Sequence, residues 1–185
     1  QKLVLNPSYH PKQFIPELLW CYADYYQYNN PGFPWTISAV NLGVIEIGQL
    51  NMAIKRFVSA FRAETNDSIR REVKRLSQIT KSYYTYPEYK DLGHFLNLIS
   101  GSPLIPNSSA VHLTALAARE ALRQVIMDNE VINGRNIGED NGLAVLLPDY
   151  VADWHLYSHF YSELSFTKAT GWNYLIEELL PITNY

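Results

Sequence analysis

The sequence predicts an α+β fold that is predominantly helical and contains a few short strands. Apolar residues recur every three or four positions over most of the chain, and two segments have the β-branched or continuous apolar character of strands. Of the 185 residues, 47% are apolar. A chain of this length buries roughly 70% of the surface of its unfolded form, so we expect a core that needs neither a metal ion nor a disulfide.

The first 34 residues are predicted to form a strand and a helix that adjoin the rest of the chain. The strand covers residues 2–5 and ends at the turn-forming pair Asn6-Pro7. The helix covers residues 13–28, where Pro16 fits only near the helix start. Its apolar residues have helical spacing: Phe14, Leu18, Cys21, Tyr22 and Tyr25.

Residues 35–185 are predicted to form a mainly helical domain with a small sheet. It begins with a strand over 35–42, in which β-branched residues alternate between Pro34 and Gly43. Amphipathic helices are predicted over 45–63, 67–83, 88–100 and 107–129. The last of these helices has a stripe of small residues, which allows close helix packing.

The C-terminal part begins with a polar segment, residues 130–141, which we expect to be a surface loop or a hairpin. The apolar run over 143–147 ends at Pro148 and predicts a strand that is buried on both faces. Short helices are predicted over 154–161 and 172–180, the second lying between Gly171 and Pro181. We expect the strands over 36–42 and 143–147 to form one small sheet covered by the helices.

Charge and composition exclude several classes of function. The 15 Lys and Arg residues and 18 Asp and Glu residues give a net charge of −3, so we expect no nucleic-acid partner. The sequence lacks the run of about 18 apolar residues that crosses a membrane, so we expect no membrane partner either. Because the sequence begins at Gln1 rather than Met, we expect that a preceding segment has been removed.

The candidates for chemistry are few. Cys21 is the only thiol, and its apolar, mid-helix setting predicts a buried core residue rather than a nucleophile. His155 and His159 have the i, i+4 spacing of a metal-binding pair, but no Glu follows His155. We therefore predict a solvated or tyrosine-packed pair, with a metal-dependent enzyme as the weakest hypothesis. His94 and His112 are predicted to be hydrogen-bonded packing residues.

Charged and aromatic residues are also predicted to have structural roles. The acidic pairs Glu177-Glu178 and Glu139-Asp140 are expected to be surface charge, because the two side chains of each pair point away from each other. The basic segment over 70–75 is expected to be a solvated helix face. The 14 Tyr and four Trp residues indicate an aromatic core with tyrosine at its rim. They leave one alternative open: a secreted helical binding module whose tyrosine-rich surface holds glycans or peptides.

Two stretches, in this order and at this separation, resemble the clostripain-like cysteine peptidases. The first is TISAVNL, residues 36–42, which leads into a long helix. The second is GLAVLLP, residues 142–148, followed by Tyr161 and by LSFTKATGW, residues 164–172. The C-terminal part of that family has similar segments, T-x-S-A-x-D-L, G-L-S-I-Y-F-P and F-A-K-x-T-G-W. The segment YKDL, residues 89–92, also resembles the family. In the first stretch, Asn41 stands where the family usually has Asp.

The resemblance implies that this chain is the C-terminal, accessory part of a caspase-like α/β sandwich peptidase. Residues 1–34 would then be a remnant that adjoins the catalytic sandwich. The catalytic His and Cys of the family lie in the N-terminal part, and neither motif occurs in this sequence. We therefore expect a non-catalytic portion, inactive alone, without catalytic residues, metal or cofactor. Its expected partner is the N-terminal catalytic chain or domain of the same precursor, through which alone it would meet a peptide substrate. The resemblance implies a secreted bacterial protein, either extracellular or in the cell envelope.

Overall fold

A computed structural model describes residues 35–40, 43–83, 86–132 and 143–180, together with Ile15, Leu18, Leu19, Cys21, Tyr28 and Asn29. The strand predicted over 2–5 lies outside the described residues. Within the helix predicted over 13–28, the described positions Ile15, Leu18, Leu19, Cys21 and Tyr28 are helical. The division of the chain at residue 34 stays a prediction.

The described part of the chain is predominantly helical with short antiparallel strands, as the α+β prediction requires. In order, the elements are β1 (Trp35–Val40), α1 (Val44–Ala63), α2 (Asp67–Ile79), β2 (Ser82–Tyr83), β3 (Tyr86–Asp91), α3 (Leu92–Gly101), α4 (Ala110–Val125), β4 (Ile126–Ile132), β5 (Ala144–Leu146), α5 (Val151–Glu163), α6 (Ser165–Thr170) and α7 (Trp172–Leu179). Within this part, no helix is long and apolar enough to cross a membrane.

The strands pair differently from the prediction. We expected the strands near residues 36–42 and 143–147 to share a sheet. Instead, β1 pairs with β4, and β5 pairs with β3 in a sheet of order β2-β3-β5. Residues 88–91 of β3 and 126–129 of β4 lie where the periodicity predicted helix, so the sequence pattern did not reveal the pairing.

Three predicted helices are shorter in the structure than expected. The helix predicted over 67–83 ends at Ile79, where the Thr80 hydroxyl donates to the carbonyl of Leu76. The helix predicted over 88–100 begins at Leu92, because the carboxylate of Asp91 accepts from the N–H of His94 and caps the first turn. The helix predicted over 107–129 ends at Val125, since the following residues pair with β1.

The core lies where α1, α3, α4 and α7 meet. Helix α4 packs against α1 and α3, and its small residues Ala115 and Ala118 are fully buried, which confirms the predicted stripe. The largest fully buried side chains include Phe57, Phe61, Phe95 and Trp172. Leu146 and Leu147 extend this core to the end of β5.

Buried Lys90 ties the small sheet to the helices. Its side chain is 1% exposed and its Nζ atom donates to the Ser77 carbonyl at 2.8 Å and to an Asp149 carboxylate oxygen at 2.6 Å. Burial of a cation is costly unless it is paired and hydrogen-bonded, and both conditions are met here. The C-terminal end of α2, the strand β3 and the turn after β5 are thereby joined at one point.

Candidate functional site

Cys21, the only thiol of the sequence, is not in the core. Cys21 is exposed, whereas Leu19 nearby is only 8% exposed. The prediction that Cys21 is a core residue is therefore wrong, because the apolar spacing assigned the wrong face of this helix to the interior. Leu18, on the same predicted face, is also exposed.

The histidines lie at separate places. His155 and His159 are both exposed on α5. The ring of His159 meets that of Phe160 edge-on, with 5.3 Å between the ring centroids. In the described ranges, no group of three His, Cys, Asp or Glu residues is arranged to hold a metal ion. The prediction that His94 is a hydrogen-bonded packing residue is confirmed: it is buried, and its Nδ1 accepts from the N–H of Lys81. His112 is buried as predicted, but its Nδ1 finds no partner among the described residues.

The charged residues are less solvated than we expected. Glu178 accepts from Arg62 at 3.1 Å and from Arg70 at 3.0 Å, which links α7 to α1 and α2. Arg70 also lies over the ring of Phe61. The solvated-face prediction is thus wrong for Arg70 and for Glu72, which is 5% exposed. The pair Glu139-Asp140 lies outside the described residues.

Glu72 is the centre of a polar cluster on α2. Its carboxylate accepts from Nε and Nη2 of Arg75, both at 2.8 Å, and from the hydroxyl of Ser102 at 2.8 Å. The guanidinium of Arg75 lowers the pKa of Glu72 against the opposing effect of desolvation, and Ser102 lowers it further. These residues line an open cavity of about 460 Å³ with His94 and Leu104.

The motif residues of the C-terminal half meet at the last residue of β5. The N–H of Leu146 donates to the hydroxyl of Tyr161 at 3.3 Å, and Nε1 of Trp172 donates to the carbonyl of Leu146 at 2.8 Å. We call this arrangement the β5 clamp. It satisfies both backbone groups of Leu146 on the side of the strand that faces away from β3.

The turn before α7 positions the side chain of Trp172 in the β5 clamp. Gly171 joins α6 to α7 with a φ of 74°, a left-handed conformation that favours glycine. The backbone N–H of Trp172 donates to the hydroxyl of Thr170. The indole is fully buried and packs against Phe95 and Phe166. Burial raises the pKa of Tyr161, the other half of the clamp.

Beside the clamp lies a cavity of about 490 Å³, which we call the β5 groove. It is bordered by the start of α1, the outer edge of β5 and the junction of α5 with α6. Its lining includes Ile47, Leu50, Asn51, Ala144, Tyr161 and Phe166, and none of the described residues that line it is charged. Pockets of this volume and apolar character are typical of ligand sites.

Helix α5 has apolar side chains on both sides. Trp154 and Tyr161 point inward and are 6% and 8% exposed, respectively. Leu156 and Phe160 point outward and are 66% and 74% exposed. We call the surface of Leu156 and Phe160, with His155 and His159 beside them, the outward face of α5. Exposed apolar side chains that adjoin one another on a surface are typical of an interface.

Several of the other described aromatic rings contact one another, whereas Tyr150 is 71% exposed. One row of edge-to-face contacts joins Tyr86, Tyr89 and Tyr157, with 6.3 and 6.1 Å between the centroids of successive rings. The hydroxyl of Tyr157 donates to Glu88 at 2.7 Å, and this carboxylate raises the pKa of Tyr157 to about 12. Among residues with described side chains, Trp154 and Trp172 are buried, so the exposed tyrosines do not continue into a tryptophan-lined surface.

Sequence reasoning did not find the β5 clamp, the β5 groove or the outward face of α5. The outward face of α5 gave no clear signal, because the apolar side chains of residues 154–161 fit one broad side of a helix. The clamp joins residues that are far apart in sequence, and only the fold brings them together.

No family model matches the chain, and no curated protein and no solved structure is similar to it at a significant level.

Proposed function

We propose that this chain is the non-catalytic C-terminal portion of a clostripain-like cysteine endopeptidase or of a degenerate relative. It packs against the catalytic half that carries the His and Cys dyad and supports that half as the accessory part of a caspase-like sandwich. The observation that carries the proposal is the outward face of α5, where the apolar side chains of Leu156 and Phe160 are mostly exposed. Covering such side chains with a partner contributes free energy of about 25 cal/mol for each Å² of apolar surface.

The roles of the motif residues support this proposal. Within the segments that resemble the family, Leu146, Tyr161 and Trp172 are joined by hydrogen bonds that secure a strand edge. A strand, a helix end and a tight turn are thereby held in fixed positions. Residues with these roles are framework residues, which suits a supporting portion better than a catalytic one.

Binding to a catalytic half tests the proposal directly. The probe is a recombinant catalytic segment of a clostripain-like peptidase that contains the His and Cys motifs, titrated calorimetrically with this chain. We expect saturable binding that the double substitution Leu156→Glu and Phe160→Glu weakens at least tenfold, because two carboxylates would be buried without partners.

The matched control changes exposed leucines on another helix. Leu113 and Leu116 on α4 are 53% and 39% exposed, so Leu113→Glu with Leu116→Glu has the same chemistry at a distant place. This control is expected to bind like the unmodified chain. Absence of binding by the unmodified chain, or equal loss in both double variants, contradicts the proposal.

Catalysis by the isolated chain provides a second test. We expect no hydrolysis of fluorogenic peptides that contain Arg or Lys, with a thiol reductant present. Turnover that disappears in Cys21→Ala would show that the chain has its own nucleophile and would overturn the non-catalytic assignment.

The alternative is a secreted binding module with a tyrosine-rich surface for glycans or peptides. Among the described residues, the row formed by Tyr86, Tyr89 and Tyr157 favours it. However, Tyr157 is held by Glu88, and Tyr89 packs between the other two rings, so few ring faces are left to stack on a sugar. The docking role is therefore the stronger proposal.

A further inference from the structure

We infer that the β5 groove is a binding site for an extended, uncharged peptide segment, which adds to the outer edge of β5 at Ala144. This site lies beside the junction of α5 and α6, and the inference does not depend on the docking of a catalytic half. It follows from the hydrogen-bond pattern of the sheet, the capping of Leu146 and the lining of the groove.

The register of β3 and β5 shows which way each backbone group points. The backbone carbonyl of Leu143 accepts from the N–H of Leu92, and the N–H of Leu147 donates to the backbone carbonyl of Glu88. Residue pairs that exchange hydrogen bonds alternate along antiparallel strands, so positions 143, 145 and 147 face β3. The N–H and C=O groups of Ala144 and Leu146 therefore point away from β3.

Leu146 and Ala144 differ in what meets them on that side. The clamp residues Tyr161 and Trp172 satisfy Leu146. No hydrogen bond reaches the N–H or C=O of Ala144 from any residue that the structure describes. Ala144 is exposed and lines the groove together with Tyr161, so its donor and acceptor are presented where a ligand backbone can lie.

The lining of the groove selects the class of ligand. An extended peptide would pair its backbone with Ala144 and direct alternate side chains toward Ile47, Leu50 and Phe166. Asn51 and Ser165 supply neutral hydrogen-bonding groups at the same cavity. Because none of the described residues that line the groove is charged, a charged ligand side chain would lose its hydration without gaining a partner among them. The ligand expected here is thus an extended, uncharged segment with apolar side chains at alternate positions.

The test uses a labelled hexapeptide of alternating valine and threonine, blocked at both ends, and follows its binding by fluorescence anisotropy. The comparison peptide has the same side chains and an N-methyl group on every amide, which removes all donors. We expect saturable binding of the first peptide and at least tenfold weaker binding of the second. Equal binding of both peptides, or no binding at millimolar concentration, overturns the inference.

Variants at Ala144 provide the protein side of the test. Ala144→Pro removes the outward N–H, and proline is tolerated on edge strands whose N–H faces outward. Ala144→Val keeps the donor and suits a strand, so it separates the loss of the N–H from the effect of a larger side chain in the groove. We expect the proline variant to bind at least tenfold more weakly than the valine variant. Equal binding by a folded proline variant contradicts the inference.

Amide exchange in the unmodified chain decides the question even if the proline variant does not fold. We expect the Ala144 amide to exchange faster than the Val145 amide in the free chain and to slow at least tenfold when the hexapeptide is added. An Ala144 amide whose exchange the bound peptide leaves unchanged would show that the peptide does not pair with β5.

Discussion

At the scale of single residues, Glu72 shows how a charge is kept inside this protein. Its carboxylate is almost fully buried, and every hydrogen bond it accepts comes from Arg75 or Ser102. Because Arg75 lies one turn further along α2, the pair is made within a single helix. Ser102 then connects that helix to the end of α3.

The lowered pKa of Glu72 predicts a loss of stability in acid. The unfolded chain takes up the proton near the ordinary value of 4.5, and the folded chain only at lower pH. The contribution of this carboxylate is therefore complete above pH 4.5 and is lost as the pH falls through the folded pKa. We expect Glu72→Gln to be about 1 kcal/mol less stable at neutral pH and to lose less stability on acidification. Urea unfolding between pH 7 and pH 3 measures both effects.

Ser102→Ala serves as the partial variant for this prediction. It removes one of the hydrogen bonds that lower the pKa of Glu72 and leaves Arg75 in place. Its pH dependence is expected to lie between those of the unmodified chain and Glu72→Gln. Identical pH dependence of Glu72→Gln and the unmodified chain would show that Glu72 does not determine acid stability.

At the scale of elements, the β5 clamp explains how a strand of three residues keeps its place. Such a strand has few hydrogen bonds of its own, and its outer edge would otherwise be open to other strands. Tyr161 from α5 and Trp172 from α7 close that edge at Leu146. The helices thus define where the strand ends.

Removal of either clamp side chain tests its contribution. Trp172→Phe eliminates the bond to the Leu146 carbonyl and leaves a cavity, so we expect a loss of about 2–4 kcal/mol in the free energy of unfolding. Tyr161→Phe removes only a hydroxyl and is expected to cost about 1–3 kcal/mol, because the N–H of Leu146 loses its acceptor. Chemical denaturation measures both values. A Trp172→Phe variant as stable as the unmodified chain would contradict the role given to the indole.

Several of the helices and strands were predictable from the sequence. The helix over 45–63 and the strand over 143–147 match α1 and β5 within a few residues, because each has a sustained apolar pattern and clear end signals. β3 and β4 were not predictable in this way. Residues 88–91 and 126–129 continue the apolar spacing of the helix beside them in the sequence. Pairing with distant strands overrides that local preference.

At the scale of the whole molecule, one contiguous core joins the N-terminal and C-terminal parts of the described domain. It extends from Leu50 on α1 through Leu122 on α4 to Trp172 and Leu180 near the end of the described residues. The ion pairs of Glu178 with Arg62 and Arg70 reinforce the contact of α7 with α1 and α2. Removing one part of such a core exposes the remainder, so we expect the domain to unfold as a unit.

Truncation after Glu163 tests this cooperativity. It removes Trp172, Leu175, Ile176 and Leu179, which are all buried, and opens the core between α1 and α3. We expect the shortened chain to have no cooperative thermal transition by circular dichroism. The full-length control Glu178→Gln keeps the transition and loses about 1 kcal/mol or less, because its ion pairs are partly solvated. A sharp transition in the truncated chain would show that its core does not need α7.

The sequence by itself determined the class of the fold, the main amphipathic helices and the strand that ends before Pro148, because these depend on local spacing and on proline and glycine signals. Only the tertiary structure decided that β5 pairs with β3, that Leu146 is held between Tyr161 and Trp172, and that Leu156 and Phe160 face outward. The first two features join segments that are distant in sequence, and the third depends on which side of α5 meets the core. Local spacing contains no information on which surfaces meet.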